Sequence, residues 1–126
     1  MAAGDPKFFV LSNVVELLEA DAKLRSMIGD NIFPIVAPRS TKGDFIAYQR
    51  DGIDDIQTSK MSGFALIRYS FFITSVSEDY QRGIEIANRA FEVLNGSHPF
   101  GKVRLEDFAE TVVDQKFFQS IKFSIV

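Results

Sequence analysis

The sequence predicts an α+β fold: a single two-layer domain with an antiparallel sheet of about four strands, a short additional edge strand, and two helices on one face. Three observations predict it. Apolar residues recur at three- and four-residue steps over 6–28 and again over 80–94, the spacing of amphipathic helices. They alternate with period two over 65–76 and 117–126, the spacing of half-buried strands. The resulting order is helix, two strands, helix, two strands, without internal repeats, and a chain of 126 residues fits one domain over residues 1–126.

The first helix is expected from Pro6 to Ile28, with Asp5 as N-cap and Pro6 at the first helical position. Its stripe is Phe8, Leu11, Val15, Leu18 and Ala22. Asp21 is a possible start for a separate short turn carrying Leu24, Met27 and Ile28, and Gly29 is the stop. Pro34 and Pro38 cannot donate to a ladder, so 32–38 reads as at most an edge strand. A turn over 40–44 leads to a strand over 45–50. Residues 51–63 are polar, without a clear period, and read as a long mobile loop or hairpin tip.

The strand over 65–76 puts Ala65, Ile67, Tyr69, Phe71 and Ile73 on one face and Arg68, Ser70 and Thr74 on the other. Ser77 then reads as the N-cap of the second helix, with Glu78 and Asp79 in its first turn, where the helix dipole favours anions. Tyr80, Ile84, Ala87, Phe91 and Leu94 form its stripe, widened by Ile86 and Ala90, and Asn95-Gly96 ends it. Strands over 100–114 and 117–126 close the chain around a tight turn at 114–116. In the first of these, Val103 and Leu105 share a parity that Phe108 breaks, which predicts a β-bulge near Glu106-Asp107.

Composition excludes more than it assigns. With no cysteine there is no disulfide framework, thiolate metal site or thiol nucleophile. A net charge of −3 argues against tight binding to a nucleic-acid backbone, which needs a basic patch to release counterions. Residues 1–6 lack the basic and apolar regions of a signal peptide, and no apolar run approaches the length of a membrane helix. Thirteen phenylalanines without a tryptophan fit either a Phe-rich core or apolar surface buried against neighbouring subunits.

No chemistry emerges from the polar residues. The sole histidine, His98, lies in a turn without a second His or Cys to complete a metal set. The acidic pairs Asp54-Asp55, Glu78-Asp79 and Glu106-Asp107 lack an evident cleft. The strand-to-helix passage at 75–79 has no glycine and carries two acids, unlike a phosphate loop. No catalytic residue, cofactor or metal is expected. Arg39, Lys42, Arg50 and Arg68 read as a solvated face or a gathered basic edge. The segment 51–63 either folds back on the sheet or acts as an arm that orders on a neighbour. As an arm, with its flanks, it offers Arg50, Ile53, Ile56, Lys60, Met61 and Phe64 as interface residues.

Several landmarks in order carry a resemblance: Met27-Ile28-Gly29 at a helix end, the run Ile32-Phe33-Pro34-Ile35-Val36-Ala37-Pro38, the run Phe45-Ile46-Ala47-Tyr48-Gln49-Arg50, the strand over 67–76, Tyr80-Gln81-Arg82-Gly83-Ile84-Glu85-Ile86-Ala87 opening a helix, and Phe123-Ser124-Ile125-Val126 at the end. Over residues 14–126 the chain resembles the tail-completion (tail-terminator, head–tail joining) proteins of long-tailed phages and prophages. The resemblance implies a structural, non-enzymatic protein without cofactor. Its subunits would form a ring, often a hexamer, capping the head-proximal end of the tail tube. Its partners would be copies of itself, the tail-tube protein and the head-connector protein, with neither sequence-specific nucleic-acid binding nor a membrane. It would reside in the host cytoplasm during assembly and then in the virion tail. Two other readings stay open: a small-molecule-binding domain or enzyme with a pocket between helices and sheet, and a monomeric or dimeric adaptor of bacterial origin.

Overall fold

The computed structural model describes the backbone of residues 10–59 and 64–126, and the side chains of 10–52 and 68–126. The chain runs α1 (Val10–Ala20), α2 (Ala22–Ile28), β1 (Ile32–Pro34), β2 (Phe45–Ser59), β3 (Phe64–Ser77), α3 (Tyr80–Leu94), β4 (Gly96–His98), β5 (Gly101–Val113) and β6 (Lys116–Ile125). The fold is α+β, as the sequence predicts, but the sheet has six strands in the order β1-β2-β3-β6-β5-β4. It is mixed: β1 runs parallel to β2, while every other pair is antiparallel.

The helices number three among the described residues, not two. Asp21 breaks the first helical region because its carboxylate accepts the Leu24 N–H at 3.0 Å, capping α2 as a separate helix. The expected cap at residues 5–6 lies outside the described residues. The buried stripe of α1 is Val10, Val14 and Leu18. Leu11 is half-buried, and so is Val15, so the helix is rotated from the expected face. Apolar residues on both sides of the stripe left that angle to be chosen by packing against α3.

Two further corrections concern α3. Its cap position is Asp79, without a side-chain cap bond; Ser77 closes β3, and its hydroxyl accepts the Asp79 N–H at 3.1 Å. Gly83, Ile86, Ala87, Ala90 and Leu94 form the buried face, while Tyr80 is exposed and Ile84 and Phe91 are half-buried. Small residues facing the sheet bring α3 close enough for the Ser75 hydroxyl to donate to the Gly83 carbonyl at 2.8 Å.

One apolar cluster joins the helices to the sheet: Val14, Leu18 and Leu24 from α1 and α2, Ile86 and Leu94 from α3, and Ile46, Ile73, Phe123 and Ile125 from the strands. Phe123 is fully buried, stacked on Phe71 at 5.4 Å and facing Phe91 at 6.5 Å between ring centroids. The expected bulge is present, as the β5–β6 register shifts between Leu105 and Asp107. Asp114 and Gln115, at φ 51° and 65°, form the tight turn into β6.

Candidate subunit interface

The segment expected as a loop is mostly strand. Residues 51–59 continue β2 and pair with β3 up to Ser59↔Phe64, after a register shift between Arg50 and Gly52. Strand formation here depends on backbone pairing, so a polar composition hid it. β6 follows β3 only as far as Tyr69↔Ile125. Residues 53–59 and 64–68 therefore form a two-stranded ribbon beyond the sheet, a form marginally stable by itself in water. Of the expected interface residues, Arg50 is exposed on β2. Ile53 and Ile56 pair in register with Tyr69 and Leu66, and Phe64 opens β3. Lys60 and Met61 lie outside the described residues. At the ribbon base, Lys122 on β6 pairs with Asp51 at 3.0 Å.

The free faces of the strands are the alternative contact surface, and one of them, on β5, carries residues that the sequence does not single out for contact. β4 pairs only with Gly101, Lys102 and Val103 of β5, leaving residues 104–113 as an open edge. Leu105, Phe108 and Val112 sit across from Phe123, Ile121 and Phe117 on the helix side of β5, yet are about half exposed. Between α3 and β5 lies a groove of about 280 Å³, lined by Ile84, Ala87, Phe91, Leu105, Phe108 and Ile121. Gln119 also lines it, is fully buried, and has no hydrogen-bond partner for either amide atom among the described residues. An unpaired buried amide costs about 1–3 kcal/mol. Replacing Gln119 with leucine should therefore raise the stability of the isolated chain by about 1 kcal/mol in urea unfolding; a destabilised variant would show that the amide is satisfied.

The acidic residues along this edge are held by neutral donors. Glu106 accepts from the Ser124 hydroxyl at 2.5 Å, Asp107 from the Phe108 N–H at 2.8 Å, and Glu110 from the Tyr80 hydroxyl at 2.9 Å. The bond to Glu110 holds the Tyr80 hydroxyl above its ordinary value of 10.0. Arg39 and Lys42 are exposed in the loop beyond β1 at the far side of the sheet, separated in the chain from Arg50 and Arg68 on β2 and β3.

The His98 ring stacks on Phe100 at 5.1 Å, and its Nε2 lies 2.7 Å from the Leu94 carbonyl at the end of α3. Among the described residues no group of His, Cys, Asp and Glu could hold a metal, and no helix is long and apolar enough to cross a membrane.

The best-formed ion pair is structural. Arg89 on α3 donates from Nε and Nη2 to the two Asp21 carboxylate oxygens at 2.9 and 2.6 Å. That pair, more than the Leu24 N–H, holds the Asp21 carboxyl below its ordinary value of 3.8 against the opposing effect of burial. Asp21→Ala should cost about 1 kcal/mol from the lost cap alone. Because the folded-state value is depressed, the carboxylate's contribution is fully present above the unfolded value and lost as pH falls through the folded one. Urea midpoints should show Asp21→Asn, which keeps a cap acceptor, less stable than the native chain at pH 7 and level with it once the carboxylate is protonated in both states. A gap unchanged in acid would refute the charge argument.

Comparison with solved structures places the fold. A chain in the virion of a native gene transfer agent (GTA) particle superposes with a TM-score of 0.68 at 18% identity, covering 89% of each chain. The likeness is one of fold. Another solved chain reaches a TM-score of 0.48 at 10% identity, too distant to carry an argument. No protein-family model matches the chain, and no curated protein does.

In the sequence, Leu105 and Phe108 resemble core residues, and the parity switch that predicts the bulge counts both as inward-facing. That β5 extends past the cover of α3 is a tertiary fact. The signal available was an apolar residue on each side of the acidic pair Glu106-Asp107 at the bulge.

Proposed function

We propose that the protein is a structural component of a phage-type particle, a single domain over residues 1–126 that self-assembles into a ring capping the head-proximal end of a tail tube and meeting the head connector. The observation that carries this reading is the fold shared along nearly the whole chain with a component of a GTA particle. The ordered landmarks in the sequence support the same assignment. A two-stranded ribbon and an uncovered apolar edge suit a subunit that completes its packing against neighbours. In this reading Arg50, Ile53, Ile56, Lys60, Met61 and Phe64 belong to the arm that contacts the next subunit or the tube. The work of such a protein is mechanical: subunit contacts that close by rotation into a ring end polymerisation. The net negative charge suits a lumen through which DNA passes without being held.

Light scattering coupled to size exclusion, over a wide concentration range and with purified tail-tube protein added in parallel, tests the reading. A particle near six times 14.2 kDa, alone or on the tube, is the expected result. A two-fold particle indifferent to the tube would favour an adaptor and overturn the ring.

A further inference from the structure

Within that ring reading, we infer that neighbouring copies are joined by a plug and a socket on different sides of the sheet: the 34–38 loop of one copy seats in the groove between α3 and β5 of the next. The plug is unusual for an isolated chain. Ile35 and Val36 are 65% and 72% exposed, the most exposed large apolar side chains among the described residues. Ile35 has φ 62°, a conformation that is rare and strained for a β-branched residue. The loop is nevertheless firmly held. Prolines flank it at 34 and 38, the Ile35 N–H donates to the Tyr48 carbonyl at 2.8 Å, and the Asn31 amide donates to the carbonyls of Lys42 and Asp44 at 2.9 and 3.2 Å. Val36 is thus presented outward by a preorganised turn, with the exposed Ile35 beside it at a concavity it shares with Tyr48, Phe72 and Thr74, and preorganisation lowers the entropy lost on docking.

The socket has complementary chemistry. Its walls are aliphatic and aromatic, and the unpartnered Gln119 amide lies at its lining. Charge sets the orientation. Residues 35–42 carry Arg39 and Lys42 and no acid, and Glu110 lies on the groove side of β5, in register with Gln119 and bonded to Tyr80 of α3. A basic loop against Glu110 favours this pairing and fixes its register. β1 forms one edge of the sheet and β5 lies beside the other. A contact between two different patches is heterologous, so it repeats from copy to copy and closes into a ring when the rotation permits.

The absence of native cysteine makes the joint directly testable. Val36→Cys and Phe108→Cys are each made alone at exposed positions, checked for native circular dichroism, mixed in equal amounts and oxidised. The expected product is a disulfide between position 36 of one chain and position 108 of another, identified by peptide mass spectrometry and exceeding the 36–36 and 108–108 products several-fold. A ring by light scattering whose crosslinks are mainly 36–36 or 108–108 would overturn the joint and leave the ring reading standing. A 36–108 disulfide formed in assemblies whose light-scattering mass grows without limit would support the joint and overturn closure. A monomer giving no 36–108 product at any concentration, even with tube protein present, would overturn the joint. Protection of the F108C thiol from alkylation in a monomer would also overturn it, pointing to the chain's own residues 1–9 or a small molecule as the occupant.

Discussion

Truncating Phe123 to alanine should lower the free energy of unfolding by about 4 kcal/mol, since large-to-small changes at fully buried aromatic positions leave a cavity as well as losing transfer energy. Phe123 sits where the two layers meet, with Phe71 of β3 beside it in the sheet and Phe91 of α3 above. A small domain is typically stable by only about 5–15 kcal/mol, so the loss is a large share of the total. At roughly 3–5 °C per kcal/mol for a chain of this size, the thermal midpoint should fall by about 15 °C. Calorimetry would check this. A fall of only a few degrees would mean that Phe71 and Phe91 collapse into the space, and that the ring stack is not what holds α3 to the sheet.

The second large effect is expected at Gly101. Its φ of 144° is one that side-chain-bearing residues rarely adopt, and a Cβ there would stand 2.7 Å from Ile125 Cγ2 and 3.0 Å from the Val126 carbonyl oxygen. Ile125 is buried and cannot give way without disturbing the core. Val126 is tied to Lys102 by reciprocal backbone hydrogen bonds at 3.1 and 3.2 Å. Gly101→Ala should therefore cost about 3 kcal/mol, combining backbone strain with overpacking. The loss should be accompanied by faster amide exchange at Lys102 and Val126, where the β5–β6 ladder closes. A variant within about 0.5 kcal/mol of the native chain would show that this end of the ladder yields freely.

These two residues differ in how legible they are. Phe123 shares its parity with Ile121 and Ile125 in the period-two strand over 117–126, so its face of the strand is legible in the sequence. Gly101 carries no local signal, because its constraint comes from Ile125 and Val126, far along the chain. The same division runs through the fold. Asp21 and Asn95-Gly96 were readable because helix ends depend on adjacent backbone groups, and the Leu105–Phe108 parity switch revealed the bulge for a similar reason. Residues 51–59 misled: their strand depends on backbone pairing with β3, which side-chain polarity does not report. β4 is too short to have a period, and the parallel pairing of β1 depends on a partner strand over ten residues away.

The interface shows the same limit. The sequence pointed to Arg50, Ile53, Ile56, Lys60, Met61 and Phe64, and the structure places four of these, Arg50, Ile53, Ile56 and Phe64, on strands β2 and β3. It could not separate Leu105 and Phe108 from core residues, or Ile35 and Val36 from an ordinary edge strand. Periodicity and capping residues thus determined an α+β chain, because those properties belong to neighbours in the chain. Which apolar residues remain uncovered was decided only by the tertiary structure, because it depends on how α3 and the strands pack over residues distant in the chain.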